Sequence, residues 1–233
     1  MSSQVDALVI LNETITSNLE ENKESLVRNA PFLLDTISKV LYDTFDKQVE
    51  TIPLKFGKYF IGIVLKVCSL DFIIRMGEQQ TIFTLTEQLL LKLLTPGLEQ
   101  LGEKKEGEIM FRNLNSSILR ILENCQPTLT FCVFLSLLKK YKGCIHIEKL
   151  PGIIVKCLIK ITRIIPQTIE QINVERVLLA IHEYLIAPSL QENTENETNG
   201  IKITKTIVNE IVRAHGEDVW NFYEGVDSHP EED

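Results

Sequence analysis

Apolar residues in this chain return every three or four positions, segment after segment, with Lys, Glu, Gln or Asn filling the positions between them. That spacing draws one continuous stripe along an α-helix, whereas a strand alternates its faces every second residue. Val5, Leu8, Leu11, Ile15 and Leu19 make the first stripe, and Leu33, Leu34, Ile37, Val40, Leu41 and Phe45 the second, with Pro31 tolerated near a helix start. Phe60, Ile61, Val64, Leu65 and Cys68 follow Pro53, and Ile82, Leu85, Leu89, Leu90 and Leu93 run up to the stop at Pro96 and Gly97. Met110, Leu114, Ile118 and Ile121 come next, and Pro127 opens a helix carrying Leu129, Cys132, Val133, Leu135 and Leu138 that ends near Gly143. Pro151 begins a stripe of Ile154, Cys157, Leu158, Ile161 and Ile164, and Pro166 closes it. Asn173 is placed to cap a helix bearing Val174, Val177, Leu178, Ile181 and Leu185. A final stripe holds Ile203, Ile207, Val208, Ile211 and Val212.

A helix with one apolar stripe must bury it against a neighbour, so successive stripes joined by short breaks imply antiparallel hairpins. Paired in order, they fall roughly forty residues apart, within the range of HEAT and armadillo repeats. The fold expected is therefore all-α, a HEAT-like or armadillo-like solenoid of antiparallel helix pairs. A generic helical bundle would use the same stripes and is the alternative. Residues 1–224 read as a single domain, with the glycine- and charge-rich segment from Gly97 to Gly107 as an internal loop. The segment 189–200 is poor in apolar residues and reads as a mobile loop, and 225–233 as an acidic disordered tail. Trp220 and Phe222 suit a short terminal turn that plugs the last pair or anchors a partner.

Chemistry is hard to find in this sequence. Phosphate-loop, dinucleotide, nucleophile-elbow and zincin motifs are all absent. His182 is followed by Glu183 but by no second histidine at ligand spacing, and His146, His215 and His229 are scattered. Cys68, Cys125, Cys132, Cys144 and Cys157 are odd in number, form no CxxC pair and lie mostly in apolar segments, which suits reduced thiols. Cys157 stands beside Lys156, yet its phase belongs to the core stripe. No catalytic residue, metal or cofactor is therefore expected, and the chain reads as a protein-binding domain rather than an enzyme. The oily stretch from Tyr59 to Ile74 is broken by Lys66, Ser69 and Asp71 and falls short of the ~20 apolar residues that span a bilayer. The first residues lack a basic, then apolar, leader pattern, so the sequons at Asn12, Asn115 and Asn196 are not expected to be glycosylated. A formal net charge of -8 argues against general nucleic-acid binding.

Against that acidic background one segment is basic. Lys139, Lys140, Lys142, Lys149, Lys156, Lys160 and Arg163 face the single acid Glu148. Lys156, Lys160 and Arg163 share one helix face, opposite the apolar stripe. An ordinary solvated face is one reading; the other is a surface for an acidic partner, with Lys139, Lys140 and Lys142 as further candidates.

Three blocks carry more than periodicity: Lys156-Cys157-Leu158, the run Arg163-Ile164-Ile165-Pro166, and the run Ile172-Asn173-Val174-Glu175-Arg176-Val177-Leu178-Leu179-Ala180-Ile181-His182. Together they resemble the C-terminal domain of the ch-TOG/Msps family of microtubule polymerases. The likeness extends upstream through Asn113-Leu114-Asn115, Arg120-Ile121-Leu122-Glu123 and the opening helices around Leu11 and Leu33. In that family tandem TOG domains bind tubulin and promote plus-end growth, while the C-terminal domain is associated with TACC coiled-coil adaptors and spindle-pole placement. The resemblance implies a non-catalytic docking domain in the cytoplasm and cytoskeleton, at the centrosome or spindle pole, with a TACC-type partner. The alternative it leaves open is direct binding of tubulin, microtubules or the gamma-tubulin complex. Polymerase activity is not expected of this chain itself, which shows no TOG array.

Overall fold

The structure is a computed structural model and describes residues 2–17, 19–45, 54–96, 98, 105–144, 147–189, 195–219 and 222. Among the described residues there is no strand, and the α-helices pack as HEAT-like antiparallel pairs. Contacts divide the chain into two compact units, Met1–Cys125 and Gln126–Asp233.

The first unit contains α1 (Ser2–Thr16), α2 (Leu19–Arg28), α3 (Ala30–Phe45), α4 (Leu54–Cys68), the single turn α5 (Asp71–Ile74), α6 (Gln79–Leu93) and α7 (Lys105–Asn124). Its main packing partners are α4 with α7, α3 with α6, and α6 with α7. Leu34, Ile37 and Leu41 of α3 are buried, as are Phe60, Ile61 and Val64 of α4, Ile82, Leu85 and Leu89 of α6, and Leu114, Ile118 and Ile121 of α7. Each such side chain contributes roughly 1.5–3 kcal/mol when fully removed from water. Lys66 Nζ near the end of α4 donates to Asn12 Oδ1 at 2.7 Å and Thr16 Oγ1 at 3.0 Å, near the end of α1. Asn124 Nδ2 at the end of α7 donates to the Cys68 carbonyl at 2.8 Å, at the end of α4. Ends therefore meet ends, so α1, α4 and α7 are stacked parallel, as equivalent helices of successive pairs are.

The second unit contains α8 (Pro127–Lys140), α9 (Lys149–Thr162), the turn α10 (Ile165–Thr168), α11 (Val174–Ile186) and α12 (Glu195–His215), with 3-10 turns at Ile169–Gln171 and Gly216–Val219. Pro127 occupies the first turn of α8, where its missing N–H costs nothing. Gly143, at φ 68°, turns the chain after α8, in a backbone region that a Cβ disfavours. The Asn173 side chain accepts from the Arg176 N–H at 3.0 Å, the cap expected from sequence.

Here the repeat can be read from hydrogen bonds. Thr128 Oγ1 donates to the Gln171 carbonyl at 3.2 Å and accepts from the Asn173 N–H at 2.8 Å, joining the start of α8 to the start of α11. Cys132 Sγ lies 3.8 Å from the Arg176 carbonyl, and Lys139 Nζ 3.0 Å from Glu183 Oε2, each pair 44 residues apart in the chain. The Asn196 amide likewise donates to the Glu148 carbonyl at 2.9 Å, joining the start of α12 to the start of α9 across 48 residues. α11 thus stacks parallel on α8, and α12 on α9, at the spacing of a HEAT or armadillo repeat.

Several details differ from the sequence reading. Pairing the stripes in order puts α7 with α8 and α9 with α11. In the structure α6 packs with α7, α8 with α9, and α11 and α12 stack on that second hairpin. Periodicity finds each stripe, but a helix with neighbours on two sides fits the hairpin before it or the one after it, and only the contacts choose. α8 is the clear case, with residues from Thr128 to Leu138 buried around nearly its whole circumference. α2 went unseen because Glu20, Glu21, Lys23 and Glu24 dominate it and Leu26 is its buried residue. Residues 1–224 read from sequence as a single domain with Gly97–Gly107 as an internal loop; α6 and α7 on either side of that loop do pack together, while contacts divide the chain into two units at Cys125–Gln126. Of the expected mobile loop at 189–200, Glu195 to Gly200 form the first turns of α12, while 190–194 lie outside the described residues, as do Trp220 and the tail 225–233.

Gly200 shows how closely that segment packs. It is buried in α12, and a Cβ there would stand 2.9 Å from Tyr184 Cζ and 3.6 Å from Leu138 Cδ2, closer still to the Tyr184 hydroxyl. The absence of a side chain lets α12 close over α11. Gly62 in α4 is the contrast, with nothing within 4 Å of the same position. Gly62→Ala is expected to stabilise the protein by about 1 kcal/mol through helix propensity alone. Gly200→Ala is expected to lower stability despite that gain, because overpacking costs roughly 1–3 kcal/mol. Thermal unfolding of the two variants checks this: Tm should rise in the first and fall in the second, and equal shifts would refute the packing argument.

Candidate functional site

α9 is amphipathic in the strict sense. Leu150, Ile154, Cys157, Leu158 and Ile161 are buried, while Lys149, Lys156, Lys160 and Arg163 are exposed on the opposite side. The helix packs between α8 and α12, which fixes its rotation and so fixes which face the cations occupy. Burial pushes the Cys157 thiol up to about 12, with Lys160 pulling weakly the other way, so this sulfur is a packing group rather than a nucleophile. Cys68 is likewise pushed up to about 12 by burial. Cys132 is raised chiefly by burial too.

The six candidate cations fall into two groups. Because α8 and α9 form an antiparallel hairpin, Lys139, Lys140 and Lys142 lie at one end of it, and Arg163 lies at the other, roughly 20 Å away for helices of this length. At the first end Lys139 and Lys142 make contacts across helices. Lys139 pairs with Glu183 at 3.0 Å, both side chains nearly half exposed, an arrangement worth ~0–1 kcal/mol. Lys140 Nζ stands 5.8 Å from the Tyr141 ring centre. Lys142 has a side chain only 8% exposed, and its ammonium donates to the carbonyls of Ala187 at 2.5 Å, Tyr184 at 3.2 Å and Leu185 at 3.4 Å. It also sits 5.2 Å from the Tyr184 ring centre and 4.0 Å from Glu197. Those carbonyls are the unsatisfied acceptors at the end of α11, where the helix dipole favours a cation. Lys142 is therefore a C-terminal cap that ties α8, α11 and α12 together, and a partner has no access to its charge. Tyr184, buried beside it, is pushed up to about 12, first by burial and then by Glu197.

At the other end Lys156 and Arg163 line a groove of about 680 Å³ between α9 and α12. Lys160 is exposed on the same helix but lies outside its lining. Val155 and Ile159 from α9 and Ile203 from α12 provide apolar surface. Across the groove stands Lys202, exposed, which the sequence reading missed. Its local signal was two lysines, Lys202 and Lys205, directly after an acidic stretch, but nothing in the sequence says that they face α9. Glu210 also lines the groove, and its carboxylate accepts from Arg213 at 2.6 Å.

A second depression, of about 590 Å³ in the first unit, is lined by Asn12, Lys58, Tyr59, Gly62, Lys66 and Glu106 among others. Its charges are of both signs, and Lys66 already bonds to Asn12 and Thr16. Among the described residues no group of three His, Cys, Asp or Glu side chains is arranged to hold a metal ion, and no helix is long and apolar enough to cross a membrane. His182 is exposed, while His146 and His229 lie outside the described residues.

Comparison with known proteins adds relatives to this geometry. Protein MOR1 of Arabidopsis thaliana is 25% identical over 208 residues, covering 83% of this chain and 10% of that protein. Centrosomal protein 224 of Dictyostelium discoideum is 26% identical over 195 residues, covering 80% of the chain and 9% of that protein. Protein mini spindles of Drosophila melanogaster is 21% identical over 119 residues, 51% of the chain and 6% of that protein. The chain thus spans 10% or less of the length of these relatives. No family profile matches it, and no solved structure does. Over most of its length, then, the chain is similar to one segment of proteins named MOR1, with a weaker likeness to mini spindles.

Proposed function

We propose that this chain is a non-catalytic docking domain of a microtubule polymerase-type protein, binding a TACC-type coiled-coil adaptor in microtubule organisation at the centrosome or spindle pole. The observation that carries the reading is the likeness to MOR1 along 83% of the chain, joined by relatives named for the centrosome and the spindle. The exposed stripe of Lys156, Lys160 and Arg163 supports it physically, because several aligned cations steer association with an acidic coiled coil. Mixing the folded chain with a TACC coiled coil and measuring complex formation by size exclusion and calorimetry tests it. Absence of a complex at tens of micromolar sinks the adaptor reading.

The same stripe favours a second reading, direct contact with tubulin or microtubules, whose surface is also acidic. Co-sedimentation with microtubules and size exclusion with soluble tubulin separate the two. Tubulin binding without adaptor binding would make the second reading the correct one.

The two groups of lysines should respond differently. Replacing Lys156, Lys160 and Arg163 together by Glu is expected to weaken adaptor binding while leaving helicity and Tm nearly unchanged, since all three side chains are exposed. Wild-type affinity should fall as salt rises, and an affinity indifferent to salt would remove this face from consideration. Lys142→Met should do the opposite. It deletes the cap on α11 and is expected to cost roughly 1–3 kcal/mol of stability, with little effect on affinity in the protein that remains folded. A Tm unchanged in this variant would show that the cap is dispensable.

A further inference from the structure

The groove beside the basic stripe constrains what can bind by shape as well as by charge. Its two walls, α9 and α12, start together at the Asn196–Glu148 bond and run parallel, so the groove is straight and roughly 20 Å long, the length of α9. Val155 and Ile203, almost wholly buried, form its apolar floor, and Ile159 is left 40% exposed above them. Lys156 and Arg163 stand on one rim and Lys202 on the other. Glu210, the carboxylate among the described lining residues, is occupied by Arg213, so the cations hold the field. Toward the start of α9 the wall is Gly152, where an added Cβ would meet nothing closer than Asn196 Oδ1 at 3.8 Å, so that end is open.

We propose that this groove takes a single acidic amphipathic helix, its apolar residues seated on Val155, Ile159 and Ile203 and its carboxylates turned to Lys156, Arg163 and Lys202. Cations on both rims of an apolar floor match a helix with an apolar stripe flanked by acids, which is the helix-in-groove mode of recognition. An extended acidic tail would satisfy the cations and leave Ile159 in water. A phosphate group would need neither the apolar floor nor the length. The inference deepens the adaptor reading by naming the groove and the form of the partner, and it rests on that reading only for the source of the helix.

The test is a methyl-detected NMR titration of the full chain with isoleucine labelling. The probe is a designed peptide of about 18 residues with Leu at i, i+3, i+4 and i+7 and Glu on the flanks, beside a control of the same composition with the stripe scrambled. The designed peptide should shift the Ile159 and Ile203 methyls and bind at least ~10-fold more tightly than the scrambled one. Gly152→Leu, which builds a side chain into the open end, and Lys202→Glu should each weaken it by a similar factor. Lys202 is exposed, so its variant keeps the test valid if Gly152→Leu fails to fold. Equal binding of the two peptides, no binding, or shifts confined to other isoleucines overturns the proposal. Repeating the titration with a TACC coiled coil separates the two claims. If it binds and leaves Ile159 and Ile203 silent, the groove inference falls and the adaptor reading stands. If only the designed peptide binds, and in the groove, the inference stands and the adaptor reading falls.

Discussion

Everything in the second unit depends on equivalent helices lying parallel, one pair upon the next. The Thr128 hydroxyl sets this stacking at one end, giving a hydrogen to Gln171 and taking one from the Asn173 N–H. Lys142 sets it at the other, capping α11 from the end of α8. Both groups are almost wholly buried, so each bond is made where its loss would leave an acceptor or donor dry. Apolar stripes by themselves tolerate sliding and rotation. The polar contacts at both ends hold α11 in one register on α8, and α12, tied to α9 by Asn196, follows.

That register also creates the surface. α9 is held by α8 on one side and α12 on the other, leaving Ile159 exposed among cations that stand on both helices. The groove is a by-product of stacking two rows of helices whose side chains do not fully meet at Ile159. In repeat folds recognition commonly uses the faces that stacking leaves open, since the inward stripes are already spent on neighbours. Lys142 illustrates the distinction within one basic run: sequence puts it beside Lys139 and Lys140, but burial turns its charge inward.

A fold of this kind also accounts for how a quarter of identical positions can extend over most of the chain. Each helix needs an apolar stripe of suitable volume, a cap and a break, and many residues meet those demands. The segments from Arg163 to Pro166 and from Ile172 to His182 hold the turn α10 and the capped start of α11, where backbone geometry and hydrogen bonding constrain the residues as well as apolar volume does.

The sequence by itself determined the helices, because a 3.6-residue apolar period, Pro127 at a helix start and Asn173 at a cap are local signals that need no neighbour. It also determined the basic face of α9, since exposure there follows directly from the phase of Leu150, Ile154, Leu158 and Ile161. It left α2 hidden, because a helix dominated by charge and held by Leu26 has almost no stripe to see. Tertiary structure decided which hairpin each helix joins, where the chain divides at Cys125, and that Lys142 is a cap while Lys202 completes a groove. These are contacts between residues on different helices, and a pattern read along one helix carries no information about which side chain another helix brings to meet it.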